Sequence, residues 1–189
     1  MNKLWQYWSE TLGNDVIDNL IQIGESYPLS TAALGFNGET KNNTHRSSEI
    51  RWIPISFNQN QFVKEILWHY ASEANKNAFG FHIDSILDVQ YTTYRADQEG
   101  KYDWHIDTFW ANPTSYDRKI SVVVQLTDPV EYEGGDFQLD PQYEQPSAEL
   151  IKKKGSIIVF PSFIAHRVTP VTAGVRRSLV TWVQGPKFK

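Results

Sequence analysis

No cysteine occurs among the 189 residues. That removes disulfides, zinc ribbons, iron–sulfur clusters and thiol nucleophiles together, and any metal has to be held by nitrogen and oxygen donors. Absence of disulfides also fits a cytoplasmic protein. No apolar run is long enough to cross a bilayer. The opening residues, MNKLWQYWSETLGNDV, lack the apolar stretch and small-residue cleavage site of a secretory signal. Basic charge is not in excess either: the formal net charge is -4, and no basic stripe marks a nucleic-acid surface. Internal repeats, low-complexity stretches and long linkers are missing. The expectation is a cytoplasmic protein with neither nucleic acid nor membrane as a partner, its oligomeric state left open.

Hydrophobic residues make up 40% of the chain and aromatics 14%, with seven tryptophans, a composition that suits one globular domain with a β-rich core. Two helical patterns come first. Leu12, Val16, Leu20 and Ile23 recur at spacings of three and four over 12–23, with Gly24 as a stop, and Phe62, Val63, Ile66, Leu67, Tyr70 and Ala74 do so over 59–74. The polar, Gly/Asn-rich stretch 35–49 between them reads as a loop, and 50–55 (IRWIPI) as an edge strand because of Pro54. From about residue 80 the period becomes that of strands. Runs at 81–94, 102–107, 119–126, 136–139, 156–160, 167–171 and 177–183 are separated by turn signals such as Glu133-Gly134-Gly135 and Ala173-Gly174. Such punctuation predicts a sandwich or jelly roll. The whole chain, 1–189, reads as a single domain, with helical support over about 1–80 and a β core over about 81–185.

One strand carries His105-Ile106-Asp107, and residues two apart on a strand share a face. A nitrogen and a carboxylate oxygen can then sit side by side, with His166 as the third ligand. Two imidazoles and one carboxylate leave open positions on a transition metal, enough for a chelating 2-oxo acid and dioxygen, and they disfavour calcium and magnesium. His82-Ile83-Asp84 repeats the pattern. Ten residues after His166 stands Arg176, whose planar fork suits the carboxylate of an anionic co-substrate.

The ordered set brings a family into view. Its pieces are Gln90–Tyr94, Tyr102–Asp107, Arg118–Ser121, Tyr132–Phe137, Gly155–Pro161, His166–Val171 and Gly174–Ser178. Over residues 86–184 the chain resembles the 2-oxoglutarate/Fe(II)-dependent oxygenases of the prolyl-hydroxylase-like branch. The resemblance implies a mainly β fold with N-terminal helices and a double-stranded β-helix (jelly roll) core. It implies Fe(II) on His105, Asp107 and His166, since His105 follows Tyr94 and Tyr102 as the family's motif does and His82 lacks that lead-in. It implies 2-oxoglutarate and dioxygen as co-substrates, ascorbate as reductant, and hydroxylation of an aliphatic carbon, with a prolyl or other residue of a protein or peptide as substrate. The same chemistry on a free amino acid, lipid or nucleobase, or a jelly roll without catalysis, are the alternatives. Arg176 corresponds to the family's ligand for the far carboxylate of 2-oxoglutarate, with Ser178 beside it. Tyr94 corresponds to a tyrosine lining that pocket. Gln125 stands where relatives often carry Tyr or Thr, so its polar role departs from the pattern. Of Tyr102, Trp104, Phe109 and Trp110, which flank the metal strand, at least two are expected in the core.

Overall fold

The computed structural model describes residues 4–30, 44–111 and 113–189. Both helices form where apolar residues stripe one face. α1 (Asn14–Ser26) buries Ile17, Leu20 and Gly24, and α2 (Gln61–Ala74) buries Val63, Leu67, Ala71 and Ala74. Gly24 does not stop α1. It lies against the Tyr91 ring, and a Cβ there would come within 2.3 Å of Tyr91 Cδ2. This glycine sets how closely the helix approaches the sheet.

The larger sheet runs in the order β1 (Gln6–Trp8), β11 (Ile157–Pro161), β8 (Tyr116–Gln125), β13 (Val171–Pro186), β6 (Val89–Arg95), β4 (Glu49–Ile53) and β2 (Leu29–Ser30). β5 (Ser85–Ile86) and β9 (Tyr132–Gly134) pair with the two ends of β13. The smaller sheet is β10 (Phe137–Leu139), β12 (His166–Val168), β7 (Lys101–His105) and β3 (Arg46–Ser47). A short helix, α3 (Ala148–Lys152), packs near β10. The fold is the mainly β jelly roll with N-terminal helices.

Strand alternation divides the larger sheet into two faces. Ile120, Val122 and Val124 of β8, Leu179 and Val183 of β13, and Val89 and Tyr91 of β6 join Ile17, Leu20, Val63 and Leu67 in the main core under the helices. Burial of each such side chain contributes about 1.5–3 kcal/mol. The alternate residues, among them Gln90, Tyr94, Val123, Arg176, Ser178, Val180 and Trp182, face a cavity whose other wall carries Tyr102, His105, His166 and Val168 of the smaller sheet.

Several boundaries differ from the sequence expectation. The segment before residue 80 is more than helical support, because β1 to β4 join both sheets. Of the polar stretch 35–49, residues 35–43 lie outside the described residues, and Arg46–Ser47 pair with β7 as β3. β4 is not an edge strand: β2 covers it, and Pro54 falls after its last paired residue, so no ladder hydrogen bond is lost. Residues 81–84 are irregular rather than extended into β6. Ala173-Gly174 does not break the chain into two strands. Gly174, at φ +70°, follows the register shift with β9 between Val171 and Ala173, and Glu131 O passes within 2.0 Å of the position its Cβ would take. The strand bulges past this crossing and continues. Among the described residues, no helix is long and apolar enough to cross a membrane.

Candidate metal centre and anion pocket

β7 is not a regular strand. His105 pairs with His166 and Tyr102 with Val168, so β7 takes three steps where β12 takes two. This bulge leaves Asp103 and Trp104 exposed and turns both Tyr102 and His105 into the cavity. The strand ends at His105, so Asp107 does not reach the site by strand alternation. Its backbone N–H donates to Ser162 O (2.8 Å), and that tie to the loop after β11 aims its side chain inward.

The three ligand atoms of His105, Asp107 and His166 lie within 4.8 Å of one another. His105 Nε2 is 3.7 Å from Asp107 Oδ1, and His166 Nε2 is 3.4 Å from Asp107 Oδ2. Each histidine has its Nδ1 against a backbone carbonyl, Asp103 O at 2.8 Å and Ile164 O at 3.0 Å. A carbonyl only accepts, so Nδ1 carries the proton and the Nε2 lone pair faces the centre. Tyr102 stacks flat on His105 at 3.5 Å between ring centroids. Burial, then the neighbouring His166, pushes His105 down to about 3 against the pull of Asp107, so it stands as neutral imidazole. Burial pushes the Asp107 carboxyl up, but His166, His105, Arg118 and the Ser121 hydroxyl together hold it below the usual carboxylate range. Ser121 Oγ donates to Asp107 Oδ2 at 2.7 Å and meets Ser162 Oγ at 2.9 Å. Two imidazole nitrogens and a carboxylate, open on one side, form the donor set that suits non-haem Fe(II). Among the described residues no other group of three converges in this way. His82 and Asp84 pair with each other at 3.0 Å on the surface.

The cavity holds about 410 Å³, within the usual range for a small-molecule site. Arg176 is buried, with its guanidinium 5.5 Å from the centre of the Tyr94 ring and Nη1 lacking an acceptor. Ser178 lies two residues on along the same face of β13. Gln125 is not among the residues lining this cavity. It lies behind Arg176, donating to Thr127 O and to the Tyr132 hydroxyl, each at 3.0 Å, and Tyr132 is in turn hydrogen-bonded to Arg176. Tyr102 and Phe109 line the cavity, while Trp104 and Trp110 point outward rather than into the core.

Several residues of the site carry no role in the sequence. Ser121 on β8 and Ser162 in the loop after β11 support Asp107 and meet only in the folded structure. Arg46 fell in a stretch read as loop, and its cavity position depends on pairing between β3 and β7. Arg118 belongs to a motif piece just before the strand expected at 119–126, Trp182 to the strand expected at 177–183, and alternation from Arg176 is the one signal that puts Trp182 on the cavity face.

Residues 89–184 match the family model described as 2OG-Fe(II) oxygenase superfamily. A PKHD-type hydroxylase of Synechococcus sp. (strain CC9311) is 37% identical over 90 residues, which cover 48% of this chain and 39% of that protein. The chain spans about two fifths of the length of the curated relatives it matches. A Pseudomonas putida prolyl-4-hydroxylase structure superposes with TM-score 0.72 at 19% identity, covering 98% of this chain and 94% of that one. A Trichoplax adhaerens prolyl hydroxylase, in complex with a peptide fragment of the hypoxia inducible factor oxygen degradation domain, gives TM-score 0.74 at 18% identity, covering 96% and 83%. These two likenesses concern the fold. With the family model spanning half of the chain and its fold shared with prolyl hydroxylases, the protein belongs to the 2OG-Fe(II) oxygenase superfamily.

Proposed function

We propose that the protein is a 2-oxoglutarate- and Fe(II)-dependent dioxygenase that hydroxylates an aliphatic carbon. The observation that carries this reading is the convergence of two lone-pair Nε2 atoms and one charged carboxylate on the wall of a cavity in which, among the described residues, Arg176 Nη1 has no acceptor. His105, Asp107 and His166 would hold the iron. Bound there with 2-oxoglutarate and dioxygen, Fe(II) supplies oxidative decarboxylation to succinate and carbon dioxide, coupled to insertion of one oxygen atom into a C–H bond.

The chain's own residues set the conditions. The backbone carbonyls of Asp103 and Ile164 fix the histidine tautomers, and Ser121 orients Asp107. Arg176 would receive the far carboxylate of 2-oxoglutarate, with Ser178 alongside and Tyr94 packed under the guanidinium. Gln125 would act one step removed, by holding the Tyr132 hydroxyl against Arg176. Ascorbate would keep the iron reduced. A prolyl or other residue of a protein or peptide is the substrate class we infer, supported by the shared fold with prolyl hydroxylases.

The test is anaerobic reconstitution with Fe(II) and 2-oxoglutarate, followed by the visible metal-to-ligand charge-transfer band and, once oxygen is admitted, by succinate release. Both are expected in the wild type and both are lost in His105→Ala. A folded, iron-loaded protein with neither signal overturns the reading in favour of a jelly roll without catalysis.

A further inference from the structure

The cavity carries more positive charge than this chemistry uses. Among the described residues, three guanidiniums, of Arg46, Arg118 and Arg176, line it against one carboxylate, that of Asp107. On the reading above, the two positive charges of Fe(II) cancel the two negative charges of 2-oxoglutarate. Asp107 then offsets one arginine, and two stay unbalanced. Arg176 has the far carboxylate as its partner; among the described residues no carboxylate pairs directly with Arg46 or Arg118, and Asp107 reaches Arg118 only through its field.

Arg46 is 4% exposed, and its Nε donates to Ser48 Oγ at 2.8 Å. Its Nη2 is buried without an acceptor among the described residues. Arg118 stacks on Trp182 (3.8 Å to the ring centre) and lies 5.2 Å from the centre of the Phe109 ring, and no carboxylate among the described residues pairs with it. Trp182 Nε1 is also buried without an acceptor among the described residues. Packing on rings accounts for where the guanidiniums lie, and it leaves Arg46 Nη2 and Trp182 Nε1 unsatisfied, with half-buried Arg118 between them. Buried donors and cations are costly unless paired, so a native cavity lined by them has its complement in a ligand. The three come from β3, β8 and β13 and surround one space.

That space adjoins the metal centre. Arg46 lies over the Tyr102 ring at 4.4 Å, and Tyr102 stacks on His105. Arg118 is near enough to Asp107 to help hold its carboxyl down. We propose that Arg46, Arg118 and the Trp182 indole N–H form a second anion subsite, which clasps a carboxylate of the substrate beside the carbon that is hydroxylated. The substrate is therefore a carboxylic acid, either a free amino-acid-like molecule or a peptide with an acidic residue next to the target.

This rests on the oxygenase reading, and the test separates the two. Protein with Fe(II) and saturating 2-oxoglutarate is given N-acetyl-L-proline or its amide, and capped tripeptides with aspartate or asparagine beside proline. Succinate release above the substrate-free rate is measured. The acid of at least one pair is expected to stimulate about tenfold more than its neutral twin, the scale of one charge-assisted hydrogen bond. The responding pair identifies the source, free acid or acidic residue. Arg46→Gln and Arg118→Gln abolish the preference, Arg118→Lys retains part of it, and Arg118→Glu favours the neutral twin. Equal stimulation within both pairs, or none by either acid, overturns the subsite, and the wild-type comparison needs no variant to fold. Loss of the charge-transfer band would instead count against the oxygenase reading, whereas a normal band without acid preference counts against the subsite alone.

Discussion

Asp107 shows how much one residue depends on its neighbours. Its Oδ2 accepts from Ser121 Oγ, and its backbone N–H is held by Ser162 O. Removing the hydroxyl in Ser121→Ala leaves the three ligands in place but frees the carboxylate to rotate. Apparent Mn(II) or Fe(II) affinity should fall by about 10- to 100-fold, the usual loss when an outer partner of a ligand is removed, and a metal titration checks it. Arg176→Gln should raise the 2-oxoglutarate concentration for half-maximal turnover by about 10- to 100-fold, because a buried charge-assisted contact is lost. His82→Ala should leave turnover and stability within the range of an ordinary surface change, about 0.5 kcal/mol, since His82 pairs only with Asp84 at the surface. The His-x-Asp, the distal His166 and Arg176 were legible in the sequence because each is a residue type at a fixed spacing. Arg46 was not, since nothing local says that it is buried beside Tyr102.

At the scale of elements, local pattern was accurate wherever a segment faces one partner and failed where two segments press on each other. The stripes of α1 and α2 each face one sheet, and both helices form within two or three residues of the expected ends. Gly24 reads locally as a stop, yet α1 continues to Ser26 because the glycine is there to admit Tyr91. Gly24→Ala should destabilise the fold by about 1–3 kcal/mol, the cost of overpacking a rigid contact, with catalytic constants unchanged in the folded fraction; chemical denaturation measures it. Gly174 reads locally as a turn, but it stays paired within β13, just past a register shift with β9 and where Glu131 passes close to its Cα. The bulge at Asp103–Trp104 has no sequence signature, although it is what turns Tyr102 and His105 to the same side.

For the molecule as a whole, the centre joins parts that are far apart in the chain: His105 on β7, Asp107 after it, His166 on β12 and Arg176 on β13. Ligands that bind there should stabilise the entire jelly roll. At about 100 times its dissociation constant, a ligand adds roughly 2.7 kcal/mol, or about 5–11 °C for a chain of this size. Mn(II) with 2-oxoglutarate should raise the thermal midpoint by that amount in the wild type and not in His166→Ala; an equal rise in the variant would place the ligands elsewhere. By itself, the sequence determined a mainly β class of sandwich or jelly-roll type and the helix positions through periodicity, and the motif resemblance singled out the jelly roll and the ordered set His105, Asp107, His166, Arg176, because periodicity and motif spacing are local properties. Tertiary structure alone decided that β1 to β4 complete the two sheets, that Gln125 stands behind Arg176 rather than in the cavity, and that Arg46, Arg118 and Trp182 surround one space. Those positions follow from strand pairing and bulges between segments distant in sequence, which no local pattern encodes.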